Sequence, residues 1–84
     1  MKFKIWWIPQ VPGKAFGHEV DSPREAKRVL EVLAKYDQFL LDNKHRVDYA
    51  NAGGLIYFDE IENDWIDWED ENGNGIDDDN VNLI

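Results

Sequence analysis

The longest regular pattern in the chain is the stretch from Ser22 to Asn43. Apolar residues recur there at steps of three and four positions, which is typical of one face of an α-helix, and charged residues occupy the other side. We predict an amphipathic helix whose wide apolar face needs a sheet to cover. Its apolar stripe is predicted on Ala26, Val29, Leu30, Leu33, Tyr36 or Asp37, and Leu40, with Val32, Phe39 and Leu41 at its flanks.

The start of this helix has the spacing of a capping box. In such a box the Ser22 hydroxyl accepts a hydrogen bond from the backbone N–H of Glu25, and the Glu25 carboxylate accepts one from the N–H of Ser22. Pro23 suits the first helical position, where its missing donor costs nothing. Asn43, followed by Lys44, suits the C-terminal end.

Two strands are predicted before the helix. Residues 2–9 alternate Lys, Phe, Lys and Ile and then run Trp-Trp-Ile, a pattern rich in strand-forming residues. Pro12-Gly13 marks a turn, and residues 14–20 are predicted to pair back on the first strand, with Gly17 as a weak point or bulge. Because side chains alternate along a strand, the first strand has two faces. One carries Phe3, Ile5 and Trp7, and the other carries Lys4, Trp6 and Ile8.

Two more strands are predicted after the helix. Residues 55–59 form a short apolar run, and residues 65–69 alternate between two faces. The segment 51–54 is predicted to be a turn or tight loop, because paired glycines supply positive φ without strain. The pattern in residues 44–49 favours extended backbone. On the last strand, the alternation sets Trp65, Asp67 and Glu69 against Ile66 and Trp68.

These elements predict an α+β fold in the order β-β-α-β-β. The two hairpins join in one antiparallel sheet with the helix across one face, and residues 1–71 form a single domain. Residues 72–84 are mostly Asp, Asn and Gly with few apolar side chains. Such a composition buries too little apolar area to offset its ordering entropy, so we predict an acidic, loosely ordered, flexible tail.

Charge divides the chain into two unequal parts. Residues 1–50 hold nine Lys and Arg against seven Asp and Glu, whereas residues 51–84 hold eleven Asp and Glu and no basic residue, which gives −9 in total. That polarity repels phosphate backbones, so we expect no nucleic-acid binding and favour a basic protein partner or a solubilising tail. The predicted acidic surface comprises Asp67, Glu69, Asp70, Glu71, Asp77, Asp78 and Asp79.

The chain is expected to be soluble and cytoplasmic. No run approaches the roughly 18 apolar residues of a membrane span, and the N-terminal apolar run stops at Pro9, which is too short for a signal peptide. The chain has no cysteine, which fits a reducing compartment. We therefore expect no membrane-spanning segment and no disulfide.

A sheet covered by one helix leaves its other face open, and strands there are normally polar on that side. Here the first and third strands are apolar on both sides. The open face is thus a candidate aromatic contact surface for an unidentified protein partner, or for a second copy in a homodimer. The alternative is that loops or the tail cover these indoles. The candidate binding residues are Trp6, Ile8, Tyr57 and Trp68.

The acidic segment also resembles half of a calcium loop. Asp70, Asn72 and Asn74 followed by Gly75 match the first half of an EF-hand, but the twelfth position is Val81 where a bidentate Glu is required. We favour a solvated acidic segment over a calcium site and expect no metal and no cofactor.

Catalytic chemistry has few candidate residues. Ser22 is the single Ser, there is no Thr or Cys, and His18 and His45 lie on separate segments without metal-ligand spacing. Because Ser22 is already explained as a helix cap, no nucleophilic triad can be assembled. We expect that the protein is not an enzyme.

Three stretches of the chain resemble a known family. They are the opening residues 1–14 with the run Trp6-Trp7-Ile8-Pro9-Gln10-Val11-Pro12-Gly13, the segment Asp48–Leu55, and the ending Trp65–Glu71. Together they resemble small acidic superinfection exclusion proteins of temperate tailed phages and prophages. The resemblance implies a phage-encoded factor that alters infection of its host cell by another phage, acting here from the host cytoplasm or through a membrane partner. It supplies no catalytic residues.

Two functional hypotheses follow from the sequence. The first is an exclusion factor that acts by protein–protein contact through the aromatic sheet face. The second is an acidic decoy in which residues 51–84 imitate nucleic-acid charge and occupy a basic host or phage protein. Salt should separate them, since decoy binding weakens sharply as ionic strength rises and binding through an aromatic interface does not.

Overall fold

The alternating and helical patterns form the predicted elements in the predicted order. A computed structural model of the chain describes residues 1–43 and 50–83. The predicted extended segment at 44–49 lies outside the described residues. The α+β class and the β-β-α-β-β order are confirmed. The elements are β1 (Phe3–Ile8), β2 (Phe16–Val20), α1 (Pro23–Asp42), β3 (Ala52–Asp59) and β4 (Asp64–Asp67).

The four strands form one antiparallel sheet in the order β2-β1-β3-β4. The two hairpins join through β1 and β3, with Phe3 opposite Tyr57 and Ile5 opposite Leu55. β2 and β4 are therefore the edge strands. The pairing of β1 with β2 runs without interruption past Gly17, so the bulge predicted there is wrong.

The core lies between α1 and one face of the sheet. Its buried side chains are Ile5, Val20, Ala26, Leu55 and Ile76. Phe3, Val29, Leu30, Leu33, Trp68 and Leu83 are partly buried around it. The helix contacts β1, β2 and β3. Because Ile5 belongs to the core and Phe3 packs against it, α1 covers the face of β1 that carries Phe3, Ile5 and Trp7. Because the core is small, each of its members matters to stability.

Capping fixes both ends of α1. The Ser22 hydroxyl accepts from the backbone N–H of Glu25 at 3.1 Å, as predicted. The Glu25 carboxylate accepts from the N–H of Asp21 at 2.6 Å, one residue earlier than the predicted donor at Ser22. At the other end, the backbone N–H and the side-chain amide of Asn43 both donate to the Phe39 carbonyl. The predicted helix boundaries are confirmed.

The predicted flanks of the helical stripe are exposed. Val32 and Phe39 lie in solvent, and of the pair Tyr36 and Asp37 it is Asp37 that is buried. The Asn51 side-chain amide donates a hydrogen bond to the Asp37 carboxyl group, so this buried polar side chain has a partner. The prediction that Val32 and Phe39 widen the covered stripe is wrong, because more than half of each residue is exposed.

The glycine pair belongs to β3. Gly53 pairs with Trp7 and Gly54 pairs with Trp6, so the predicted turn at this point is wrong. A Cβ built on Gly54 would lie 2.6 Å from Nε1 of Trp6, and one built on Gly53 would overlap the ring of Trp7. The two glycines thus make room for two indoles on opposite faces of the sheet.

The acidic C-terminal segment packs on the domain. Ile76 is only 5% exposed and is part of the core, and its carbonyl accepts from Lys27 Nζ at 3.0 Å. The backbone N–H of Trp68 donates to the Leu55 carbonyl, and Glu69 forms an isolated β-bridge with Gly75. The described residues of the segment predicted as a loose tail (residues 72–84) thus contact the domain through one buried isoleucine and several hydrogen bonds, and the flexibility of this segment stays a prediction.

Candidate protein-binding face

The four residues predicted as a binding patch do not share one face. Trp6 and Ile8 lie on the sheet face that points away from α1. Tyr57 pairs with Phe3, and Trp68 packs against the core, so both lie on the α1 side. The reason is register: an offset of one residue between strands moves a side chain to the opposite face.

The sheet face away from α1, called here the open face, carries a different set of aromatic residues. Cross-strand register sets Lys4 beside Ile56 and Phe58 beside Trp65 on this side. The open face thus carries Trp6, Ile8, Ile56, Phe58 and Trp65, all partly exposed, together with the charged side chains of Lys4, Glu19 and Asp67. Within residues 1–43 and 50–83 no helix packs against it. Phe58 and Trp65 were missed by sequence reasoning, although alternation along β4 already set Trp65 apart from Trp68.

Two aromatic side chains of the open face, Phe58 and Trp65, contact each other. The rings of Phe58 and Trp65 meet edge to face, with centroids 5.5 Å apart. Lys4 Nζ lies 4.5 Å from the centre of the Trp65 ring, a cation–π contact. Such contacts reduce the rotamer entropy that a partner would otherwise have to remove on binding.

An acidic cleft borders the open face at Trp6. Its volume is about 290 Å³ and it lies where the end of β4 meets the C-terminal segment. Trp68 also lines it, so two of the predicted patch residues border the same cleft. Carboxylates beside an indole suit a cationic side chain. The lining residues are Trp6, Gly53, Gly54, Leu55, Asp67, Trp68, Glu69, Gly75, Ile76 and Asp77.

The predicted acidic surface is formed only in part. Exposed carboxylates are those of Asp67, Glu69, Glu71, Asp77 and Asp79. Asp70 and Asp78 are half-buried and accept hydrogen bonds from the local backbone. These two side chains hold loops in shape, and the other five form the charge that a partner would meet.

Asp70 holds together the loop that resembles half a calcium site. Its Oδ1 accepts from the N–H groups of Asn72 and Asn74, and its Oδ2 accepts from that of Asn82, each at 2.8 Å. These hydrogen bonds lower the pKa of Asp70 below its usual value, and the bond from the Asn82 backbone has the largest effect. Both oxygens of the would-be first ligand thus accept backbone hydrogens. Among the described residues no group of three His, Cys, Asp or Glu could hold a metal ion.

Comparison with known proteins confirms the resemblance seen in the sequence. The model of a family described as superinfection exclusion gene product 17 matches residues 2–83. A superinfection exclusion protein of Salmonella phage P22 is 44% identical over 82 residues, which cover 84% of this chain and 80% of that protein. No solved structure matches. In the part of the chain that the structure describes, no helix is long and apolar enough to span a bilayer. The chain belongs to the superinfection exclusion gene product 17 family, and superinfection exclusion is the function that this membership supports.

Proposed function

We propose that the protein excludes superinfecting phage by binding another protein through the open face. The observation that carries this proposal is the set of partly exposed aromatic side chains at Trp6, Phe58 and Trp65 on a face that α1 does not cover. Trp is the side chain that most often dominates binding energy at protein interfaces. Three neighbouring strands present these rings on one surface.

The arrangement of the open face favours contact over a purely structural role. An antiparallel sheet with one covered face normally carries polar residues on the other. Here Gly54 supplies the room in which the Trp6 indole lies against β3. A cation already sits over Trp65. Rings that are held in place yet accessible are suited to a preformed binding surface.

The proposal includes a non-catalytic mode of action in the host cytoplasm. The chain has a single Ser, no Thr and no Cys, and the Ser22 hydroxyl accepts the helix-capping hydrogen bond. Exclusion by occupation of a partner needs no such nucleophile. A partner protein also explains how such a chain alters an infection without a catalytic step of its own. Fractionation of expressing cells tests the location, and recovery in the membrane pellet would contradict it.

Substitution of the open-face indoles tests the proposal directly. Cells expressing the Trp6→Ala and Trp65→Ala double variant should plate a superinfecting phage at least tenfold better than cells expressing the unmodified protein. Phe16→Ala is the matched control. Phe16 is an exposed aromatic residue of β2, and because it pairs with Trp7 it lies on the sheet face that α1 packs against. Circular dichroism confirms that each variant is folded. A folded double variant that excludes phage fully would contradict the proposal.

A second candidate is the acidic decoy. The observation that favours it is the run of exposed carboxylates at the end of β4 and in the following segment, including Asp67, Glu69 and Glu71. The residues after position 50 contain no basic side chain to offset them. Replacement of Asp67 by Asn together with Glu69 and Glu71 by Gln should abolish decoy binding. Binding that persists from low to high salt and survives this change would exclude the decoy and leave the open face.

A further inference from the structure

A second exposed apolar surface lies on α1, away from the open face. Val32 is 64% exposed, Tyr36 59% and Phe39 54%. Their spacing of four and three positions puts them on one side of the helix, and the rings of Tyr36 and Phe39 stack with centroids 6.4 Å apart. We call these three residues the helix stripe. Large apolar side chains grouped in this way mark an interaction surface more often than isolated ones do.

A groove continues the helix stripe toward the start of α1. It has a volume of about 580 Å³. Val29, Val32 and Leu33 contribute its apolar wall, and Arg28 lies at its border. The stripe and the groove together offer both protruding rings and a place to receive them. The full set of lining residues is Ser22, Arg24, Glu25, Arg28, Val29, Val32 and Leu33.

Charge indicates which partner fits this surface. The helix carries four basic and four acidic side chains, so α1 has no net charge. Residues 51–84 carry eleven acidic side chains and no basic one. Two copies of the chain would repel each other through their acidic halves and would not do so through α1. A second copy is therefore better accommodated on the helix than on the open face.

We propose that the protein forms a homodimer in which the helix stripes of two copies pack against each other in antiparallel orientation. When Val32 lies beside Tyr36 of the second copy, the two-fold symmetry brings Phe39 of that copy to Val29, within the groove. The same register brings Arg28 beside Asp42 of the second copy. Lys35 comes near its own counterpart at the symmetry axis, where its long side chain extends into solvent.

This interface goes beyond the proposed function and does not depend on it. The helix stripe and the open face lie on opposite sides of the domain, so a dimer leaves both open faces free. Two linked open faces would strengthen binding to a partner that presents two sites. If the protein is a monomer and the open face still binds a partner, only the dimer proposal fails. If the protein is a dimer and the open face binds nothing, only the proposed function fails.

Analytical ultracentrifugation of the full chain tests the dimer. Between micromolar and submillimolar concentrations the mass should rise from 9.9 kDa toward twice that value. Phe39→Lys should weaken dimerisation at least tenfold. Ile61→Lys is the matched control, since it makes the same charge change at a 94% exposed residue between β3 and β4 and should have no effect. A protein that stays monomeric throughout, or a dimer unaffected by Phe39→Lys, would overturn the proposal.

Charge reversal tests the antiparallel register. Arg28→Asp and Asp42→Arg should each weaken the dimer several-fold, because each sets like charges against each other. The double variant should restore it, since the pair is re-formed with the charges exchanged. Restoration would be absent if the helices met in another register or if the second copy docked elsewhere, and either result would overturn the arrangement.

Discussion

The two exposed apolar surfaces of this protein differ most in the charge around them. The open face, with Trp6 and Trp65, borders exposed carboxylates at the end of β4, and the helix stripe lies on an element with no net charge. In both proposed interfaces apolar contact would supply binding energy, and the surrounding charge would select the partner. A face rimmed by carboxylates favours a basic protein, whereas a neutral helix tolerates a second copy of the same chain.

The difference in charge between the open face and the helix stripe requires that the acidic C-terminal segment be packed on the domain. Ile76 anchors that segment in the core, so Ile76→Ala should lower the free energy of unfolding by about 2–5 kcal/mol through lost burial and the cavity left behind. Ile61→Ala, at a residue in solvent, should change it by less than about 0.5 kcal/mol. Urea denaturation measures both. Equal small effects would show that the acidic charge is not fixed beside the open face.

The geometry of the open face can be changed from the backbone side. A Cβ at Gly54 would lie 2.6 Å from Nε1 of Trp6, so Gly54→Ala should displace the indole and cost about 1–3 kcal/mol. Gly17→Ala is the control, because its Cβ would meet the flexible Lys4 side chain at 3.3 Å and the Ile5 carbonyl oxygen at an ordinary contact distance of 3.9 Å. Denaturation and tryptophan fluorescence give the two readouts. An unchanged indole environment in Gly54→Ala would mean that Trp6 does not lie against β3.

The helix can be weakened at its N-terminal cap, at a residue that lines the end of the groove but belongs to neither the open face nor the helix stripe. Ser22→Ala removes the hydroxyl that accepts from Glu25 N–H and should cost about 1 kcal/mol. Ser22→Gly should cost only a few tenths of a kcal/mol, because glycine is tolerated at this position. Thermal unfolding compares the two variants. Exclusion at a permissive temperature should be unchanged, and its loss would link the helix start to binding.

The smallest expected effect concerns pH and the acidic segment. The pKa of Asp70 is lowered by backbone donors, Asn82 first, so its contribution to stability is complete above its ordinary value of 3.8. This stabilising contribution is lost as the pH falls from 3.8 through the lowered pKa of Asp70 in the folded protein. Amide resonances of Asn72, Asn74 and Asn82 should therefore shift together below that pH. In Asp70→Asn they should not show this shared transition.

Much of the fold could be predicted because its signals are local. Ser22 and Pro23 start the helix through contacts within one turn, and alternation along β1 separates Trp6 from Trp7 without reference to any other strand. The family resemblance was also carried by contiguous residues and was confirmed. The candidate site was predicted only in part: Trp6 and Ile8 lie on the open face, while Tyr57 and Trp68 do not.

The remaining features depend on neighbours distant in the chain. Paired glycines predict a turn locally, yet Gly53 and Gly54 lie in β3 because two indoles of β1 occupy the space of their missing side chains. Composition predicts a loose acidic end, yet Ile76 enters a core built from other elements. A local pattern cannot predict the register of two strands or the place in the core where a single side chain packs, because both are set by contacts between distant segments.

The sequence by itself determined the element order, the capped helix, the uneven charge and the family, because each is encoded in adjacent residues. Tertiary structure alone decided which aromatic side chains share a face, since the offset between β3 and β4 sets Phe58 beside Trp65 and sends Trp68 to the core. It also decided which part of the helix stays in solvent, because Asp37 is buried where Asn51 donates to its carboxylate, and Tyr36 is exposed.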